Sequence, residues 1–256
     1  MTSQAFEIIV AHFNEDLSWL SSVVKDCLVY SKGAPPTPDS GFKCSQLPNI
    51  GREGHTYLHH VVSRYDQLAD LTLFVQGRID DHVTLGIDEI KDACMGLNEC
   101  RILTFSSMDA PSTELTRFDD WAGIRWSLPC LEKWAKMDMK HAVMTPAAYF
   151  GRFFGNGRVP MCIGYTSGAV MAVPRQLIHS RTLDFYRQLL DTMFLGPMEH
   201  TNPETGHFME RFWLPMWQPD EYICWNDADV SQTERNPQGE LARGRWRPLP
   251  TSSEGE

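Results

Sequence analysis

Four short stretches of the chain concentrate side chains that can move protons or hold a polar ligand. His12, Asn14, Glu15 and Asp16 close an apolar run. Asn14 can cap a following helix, with the acids favoured at its N-terminus, or the group can face a ligand. Gly51-Arg52-Glu53-Gly54-His55 opens the second stretch, where two glycines, a guanidinium and a carboxylate at a helix start can cradle an anion or another polar group. His55 and His59 share a helix face, but a third metal ligand is missing and the run is not H-E-x-x-H. The third stretch is Gln76-Gly77-Arg78-Ile79-Asp80-Asp81-His82. Its glycine lets backbone approach a ligand closely, and Asp81 and His82 can be an acid–base pair, metal ligands or a charged turn. In the fourth, His207 to Trp213, Glu210 stands among aromatics, which suits a general base of raised pKa. The alternative is a surface pair of Glu210 with Arg211 beside a Trp/Phe core stripe. Asp227-Ala228-Asp229 reads as a solvated loop rather than a metal site.

The elements that must position these groups alternate between strand and helix. Phe6 to Phe13 and Leu71 to Val75 are unbroken apolar runs of strand length, as in a sheet covered on both faces. Cys27 to Tyr30 and Arg101 to Phe105 predict further strands. Between them, helical spacing falls at Leu17, Leu20 and Val24, over Glu53 to Tyr65, and over Leu85 to Ala93. Ala34 to Gly41 is a loop. Later, Ala169 to Val173 predicts a strand, Pro174 opens a helix towards Leu190, and Glu204 to Trp213 is helical. Such alternation means an α/β domain with a mostly parallel, Rossmann-like sheet and flanking helices. Ligands bind beyond the carboxyl ends of its strands. Residues 1–231 are expected to form one domain, and the Pro-, Gly- and Arg-rich stretch 232–256 a loosely ordered tail.

With 256 residues, 42% hydrophobic, the chain can bury a sizeable core, and 22% charged residues exclude global disorder. No apolar run reaches the roughly 18 residues that cross a bilayer, and the N-terminus lacks a basic region, so a cytoplasmic protein is expected. Seven scattered cysteines without C-x-x-C read as reduced thiols, mostly in the core. The net charge of −10 argues against broad nucleic-acid binding. Yet Arg152, Arg158, Arg175, Arg181 and Arg187 stand against the single acid Asp184 between His141 and Leu190, and Arg235, Arg243, Arg245 and Arg247 form a second basic group. These are either solvated surface or a basic face on an acidic protein.

IIVAHFNEDLSWL, VYSKG, LPNIGREGHTYLHHVVSRYDQLAD, LTLFVQG followed by DH, YTSGAVMAVPRQLI and HFMERFW together resemble a fungal domain of unknown function whose wider relatives are similar to GT-A glycosyltransferases. One branch of it comprises the arginine-containing cyclodipeptide synthases. The resemblance spans roughly residues 6 to 225 in collinear order. It implies a GT-A-like fold and formation of a cyclo-Arg-Xaa diketopiperazine from arginyl-tRNA and a second aminoacyl-tRNA. No metal, cofactor, membrane or stable protein partner is implied. Each amino acid arrives as an activated ester, in keeping with the lack of a G-x-x-x-x-G-K-[ST] loop. The enzyme must hold two acyl groups, deprotonate an α-amine, stabilise an oxyanion and neutralise a guanidinium. Glu53, Asp81 and Glu210 are the pool for the guanidinium partner and the base, with His55 and His82 as alternative bases. Asn14, Glu15, Arg52, Gln76, Tyr165 and Ser167 would line the substrate, Ser167 being the least unfavourable nucleophile. The arginines of the two basic groups would hold tRNA. The main alternative is a nucleotide-sugar glycosyltransferase, although Gln76-Gly77-Arg78 stands where its metal-binding D-x-D belongs. A non-catalytic ligand-binding domain is the third.

Overall fold

The computed structural model describes residues 5–105, 114–117, 132–133 and 135–225, with the backbone alone at 114–117, Cys162, Ser167 and Cys224. The first half builds strands β1 (Phe6–His12), β2 (Cys27–Ser31), β3 (Lys43–Gln46), β4 (Leu71–Gln76) and β5 (Leu103–Thr104), with β6 (Glu114–Arg117) after them. Between them run helices α1 (Arg52–Arg64) and α2 (Ile87–Met95). Then come α3 (Pro146–Phe153), β7 (Cys162–Tyr165), β8 (Met171–Pro174), α4 (Arg175–Ile178) and α5 (Leu183–Asp191). Helices α6 (Glu204–Trp217) and α7 (Pro219–Tyr222) precede β9 (Ile223–Cys224).

The main sheet has the order β3-β2-β1-β4-β8-β5. Strands β3, β2, β1 and β4 are parallel, while β8 is antiparallel to both β4 and β5. This is the mostly parallel α/β sheet that the strand–helix alternation predicts. A small antiparallel sheet, β6-β7-β9, stands apart from it.

Successive residues of a strand point to opposite faces. Ile8, Val10, Leu71, Leu73 and Val75 accordingly join one core, against Leu20 and the α2 residues Ile87 and Ile90. Ile9, Phe74 and Met171 face the other, against Tyr57, Leu58 and Val61 of α1 and Phe208, Phe212 and Trp213 of α6. Both faces are covered, so the runs show no polar alternation. Burial of one such side chain contributes about 1.5–3 kcal/mol.

Two local expectations are corrected. The segment after β1 is a 3-10 helix over Ser18–Asp26 with no side-chain cap. Asn14 does not cap it, because its Oδ1 accepts a bond from the Ala34 amide (2.9 Å) and so ties the β1 loop to the β2 loop. The helix expected from Pro174 to Leu190 breaks after Ile178, because Thr182 starts a new one by accepting the Phe185 amide at 3.2 Å. Among the described cysteines, Cys27 and Cys94 are buried, but Cys44 and Cys100 are exposed. The tail, with Arg235, Arg243, Arg245, Arg247 and the Asp227–Asp229 loop, lies outside the described residues. Among the described residues no helix is long and apolar enough to cross a membrane.

Candidate active site

In a parallel sheet every strand ends at the same edge. Strand order reverses between β1 and β4, and the crevice at such a switch point is where α/β sheets take ligands. Here the Gly77 amide donates to the Ala11 carbonyl (2.8 Å), and the Glu15 side chain lies directly on Gly77. A Cβ on Gly77 would stand 2.5 Å from Glu15 Oε2, so any larger residue would displace the Glu15 carboxylate. Glu15 Oε2 accepts the Phe13 and Asn14 amides at 2.7 and 3.2 Å. His12 is buried, with Nδ1 3.0 Å from Ser31 Oγ and Nε2 3.1 Å from the Glu15 carbonyl oxygen. Beside this group opens a cleft of about 520 Å3, lined among others by Asn14, Asp16, Pro35 and Thr37.

Two helix starts meet at the same edge. Gly51, at φ 64°, precedes α1 and donates its amide to the His200 carbonyl (2.9 Å). The helices then cross closely, because a Cβ on Gly54 would touch Met209 and one on Gly206 would meet the Gly51 carbonyl oxygen at 3.3 Å. A chain of polar contacts follows from this approach. Glu53 Oε2 lies 3.6 Å from Arg52 Nε, and Arg52 Nη1 donates to Asn202 Oδ1 at 3.4 Å. Asn202 Oδ1 is 3.1 Å from His207 Nε2, and His207 Nδ1 is 4.0 Å from Glu210 Oε2. Glu210 Oε2 also takes Arg211 Nη1 at 3.4 Å, and its Oε1 accepts the Gly168 amide at 2.9 Å. The Gly168 carbonyl in turn accepts Gln76 Nε2 at 2.6 Å. The Arg211 guanidinium stands 5.3 Å from the Tyr165 ring centre. The His82 ring packs on Gly168, and its Nε2 is 3.7 Å from Asp81 Oδ2 at the solvent rim.

The structure thus brings Glu53, Arg52, Glu210, Gln76, Tyr165 and His82 to one edge, with Asn14 and Glu15 at the switch point beside them. Ser167 belongs to the same turn by its backbone, immediately before Gly168. Sequence reasoning missed Lys32, Asn202, His207 as a link of this chain, and Gly168. Only the glycines hinted at close packing: Lys32 stands inside the VYSKG motif with no chemistry of its own to mark it, and Asn202 lies outside every motif.

His55 and His207 are buried. Burial first, then the charges of Lys32 and His59, push His55 down to about 3. Burial, then Arg52, Arg211 and Lys133, push His207 down to about 2. Both rings are therefore neutral at neutral pH and weak proton acceptors. Their folded-state values lie below the unfolded value near 6.5. The stability they contribute is present above about pH 6.5 and is lost as pH falls towards 3, because the unfolded chain then takes up the protons. We expect denaturant melts to lose up to about 1.4 kcal/mol per pH unit for each of the two rings below pH 6. His55→Gln should remove one proton from that slope, and an unchanged slope would contradict the neutral ring.

The arginines do not gather at this edge. Arg175 pairs with Asp70 at 2.5 Å, and Arg181 Nε donates to the Met216 carbonyl at 3.2 Å, both at the opposite, amino-terminal end of the parallel strands. Arg187 pairs with Asp184 at 2.8 Å. Arg152 and Arg158 are exposed, 5.2 Å and 4.4 Å from the ring centres of Phe153 and Trp225.

No curated protein matches the chain. Among solved structures it is similar to mannose-1-phosphate geranyltransferase from Thermus thermophilus, at 11% identity and a TM-score of 0.37, over 88% of this chain and 76% of that one. The family model described as protein of unknown function (DUF3431) matches residues 8–232, and the chain belongs to that family.

Proposed function

We propose that the carboxyl edge of the sheet is the active site of an aminoacyl-tRNA-dependent cyclodipeptide synthase that makes a cyclo-Arg-Xaa diketopiperazine. The observation that carries this reading is the polar chain from Glu53 to Gln76, which sets two carboxylates from separate helices on one edge beside the switch point. The sequence resemblance supplies the substrate class. Further support comes from buried polar atoms of this edge that have no hydrogen-bond partner among the described residues: His55 Nδ1, Thr56 Oγ1, Thr166 Oγ1 and Asn202 Nδ2. Such atoms are uncommon in finished cores and fit a site that completes its bonds to a ligand.

In this reading Glu210 is the general base. It is fixed by the Gly168 amide yet remains partly open to solvent, so it can reach the α-amine of one aminoacyl ester. The amine attacks the ester carbonyl of the other, a peptide bond forms, and the tRNA 3′-hydroxyl leaves. The second amine then closes the ring on the remaining ester and releases the second tRNA. Glu53, 7% exposed, is the carboxylate for the arginine guanidinium, next to Arg52. Asp81 and His82 stand at the rim. The exposed Arg152 and Arg158 are cations for the tRNA backbone.

Expression in a bacterial host followed by mass spectrometry should reveal an arginine-containing diketopiperazine. With purified protein, its formation should require charged tRNA and stop on ribonuclease treatment. Formation from free amino acids and ATP, unaffected by ribonuclease, would refute the tRNA-dependent reading. Nucleotide-sugar hydrolysis with no dipeptide would establish the glycosyltransferase instead.

A further inference from the structure

One cation at the candidate site belongs to no part of the proposed chemistry. Lys32 follows β2 directly, and its amide donates to the His12 carbonyl at 2.8 Å, beside the switch point. Its side chain crosses to the start of α1. There Nζ donates to the Ile50 carbonyl at 2.5 Å and also to the Arg52 carbonyl. The two acceptors flank Gly51, and the backbone between them is unusual. Gly51 and Arg52 both have positive φ, 64° and 50°. Glycine adopts this region freely, but an arginine there is strained and persists only where its surroundings hold it. The same Arg52 contacts Glu53 and Asn202, so the strained residue is the first link of the polar chain.

We propose that Lys32 is a positioning residue of this site: by bridging the main-chain carbonyls on either side of Gly51, its Nζ holds the strained first turn of α1 and so fixes the direction of Arg52 and Glu53. The inference rests on where the site lies, not on which substrate it takes. The charged and titratable groups facing Lys32 are Glu53, Arg52, His55 and His59, all from α1. Removal of its ammonium from water pushes Lys32 down to about 7, opposed by Glu53 and aided by Arg52. A neutral amine keeps two N–H groups, as many as the two carbonyls require. The bridge therefore survives deprotonation, and burial makes the protonated form harder to keep inside the fold than in water.

Two readouts that need no substrate test this, so they can fail or succeed whatever the enzyme makes. Hydrogen exchange at the amides of His55 and Thr56, the first that α1 can bond within itself, should quicken at least about tenfold in Lys32→Met, beyond any change at α2, and stay within about threefold of the original in Lys32→Arg. The second is stability against pH. The folded value is depressed below the unfolded value near 10.4, so the unfolded chain holds the extra proton above pH 7. The stabilisation from Lys32 should then grow as pH rises from 7 to 9. The melting temperature of the original protein minus that of Lys32→Arg should climb over this window, because arginine keeps its charge throughout. If Lys32→Met does not fold, the Lys32→Arg arm still decides. Unchanged exchange at 55 and 56 in Lys32→Met, rapid exchange there in Lys32→Arg, or a flat difference against pH would overturn the proposal.

Discussion

Glu210→Gln is expected to lower diketopiperazine formation by about 10²–10⁴-fold, the usual contribution of a general base, with every amino acid pair affected alike. The substitution is chosen because its amide oxygen can still accept the Gly168 N–H that Glu210 Oε1 accepts at 2.9 Å. The turn is then kept and only the charge and basicity are removed. Glu53→Gln should act differently. Its carboxylate is 7% exposed, and an arginyl guanidinium brought there without it is left unpaired in a buried place, which costs about 3–5 kcal/mol. That corresponds to a loss of arginine preference of a few-hundred-fold or more, with tRNA binding nearly intact. Asp81→Asn should change either quantity less than about fivefold, because Asp81 is half exposed and its contact with His82 is 3.7 Å. Competition between arginyl-tRNA and other charged tRNAs, measured on all three variants, separates the roles. Normal rate and normal arginine preference in both glutamate variants would place the active site elsewhere.

How much of this could be read from the chain depends on which force set each feature. The apolar runs of β1 and β4 and the helical spacing of α1 reflect burial, which leaves a period in the sequence, and their bounds shift by only a residue or two. β3 was invisible because all four of its residues, Lys43 to Gln46, are exposed at the sheet edge. It is held by main-chain pairing to β2 and needs no apolar side chains. The break between α4 and α5 turns on one threonine cap among several candidates. At the site, residue types at strand ends pointed to Glu53, Gln76 and Glu210 but not to their linkage. Arg52 and Asn202 are 150 residues apart, and nothing local to either announces the other. Residue type also says nothing of burial. His55 looks like a base by type, and only its burial beside Lys32 makes it a poor one.

Gly168 is the position where a single methyl group should do most damage to this arrangement. Its φ is 76°, and a Cβ there would stand 2.7 Å from the His82 ring, closer than such contacts occur. Gly168→Ala should therefore carry two penalties. The left-handed backbone costs an alanine about 1–2 kcal/mol over glycine, and the ring must move as well. Gly168 also joins Glu210 to Gln76, accepting at its carbonyl (2.6 Å) and donating from its amide (2.9 Å). A shift of the turn by even a few tenths of an ångström therefore moves the proposed base. The expected outcome is a stability loss of about 1–3 kcal/mol in denaturant melts, together with loss of most activity. The two penalties separate in the double variant Gly168→Ala with His82→Ala. Deleting the ring removes its two closest contacts, while the Cβ at position 82, 2.9 Å away, and the backbone strain remain, so the double variant should still be more stable than the sum of the two single losses predicts. Strict additivity would mean that His82 does not pack on this turn.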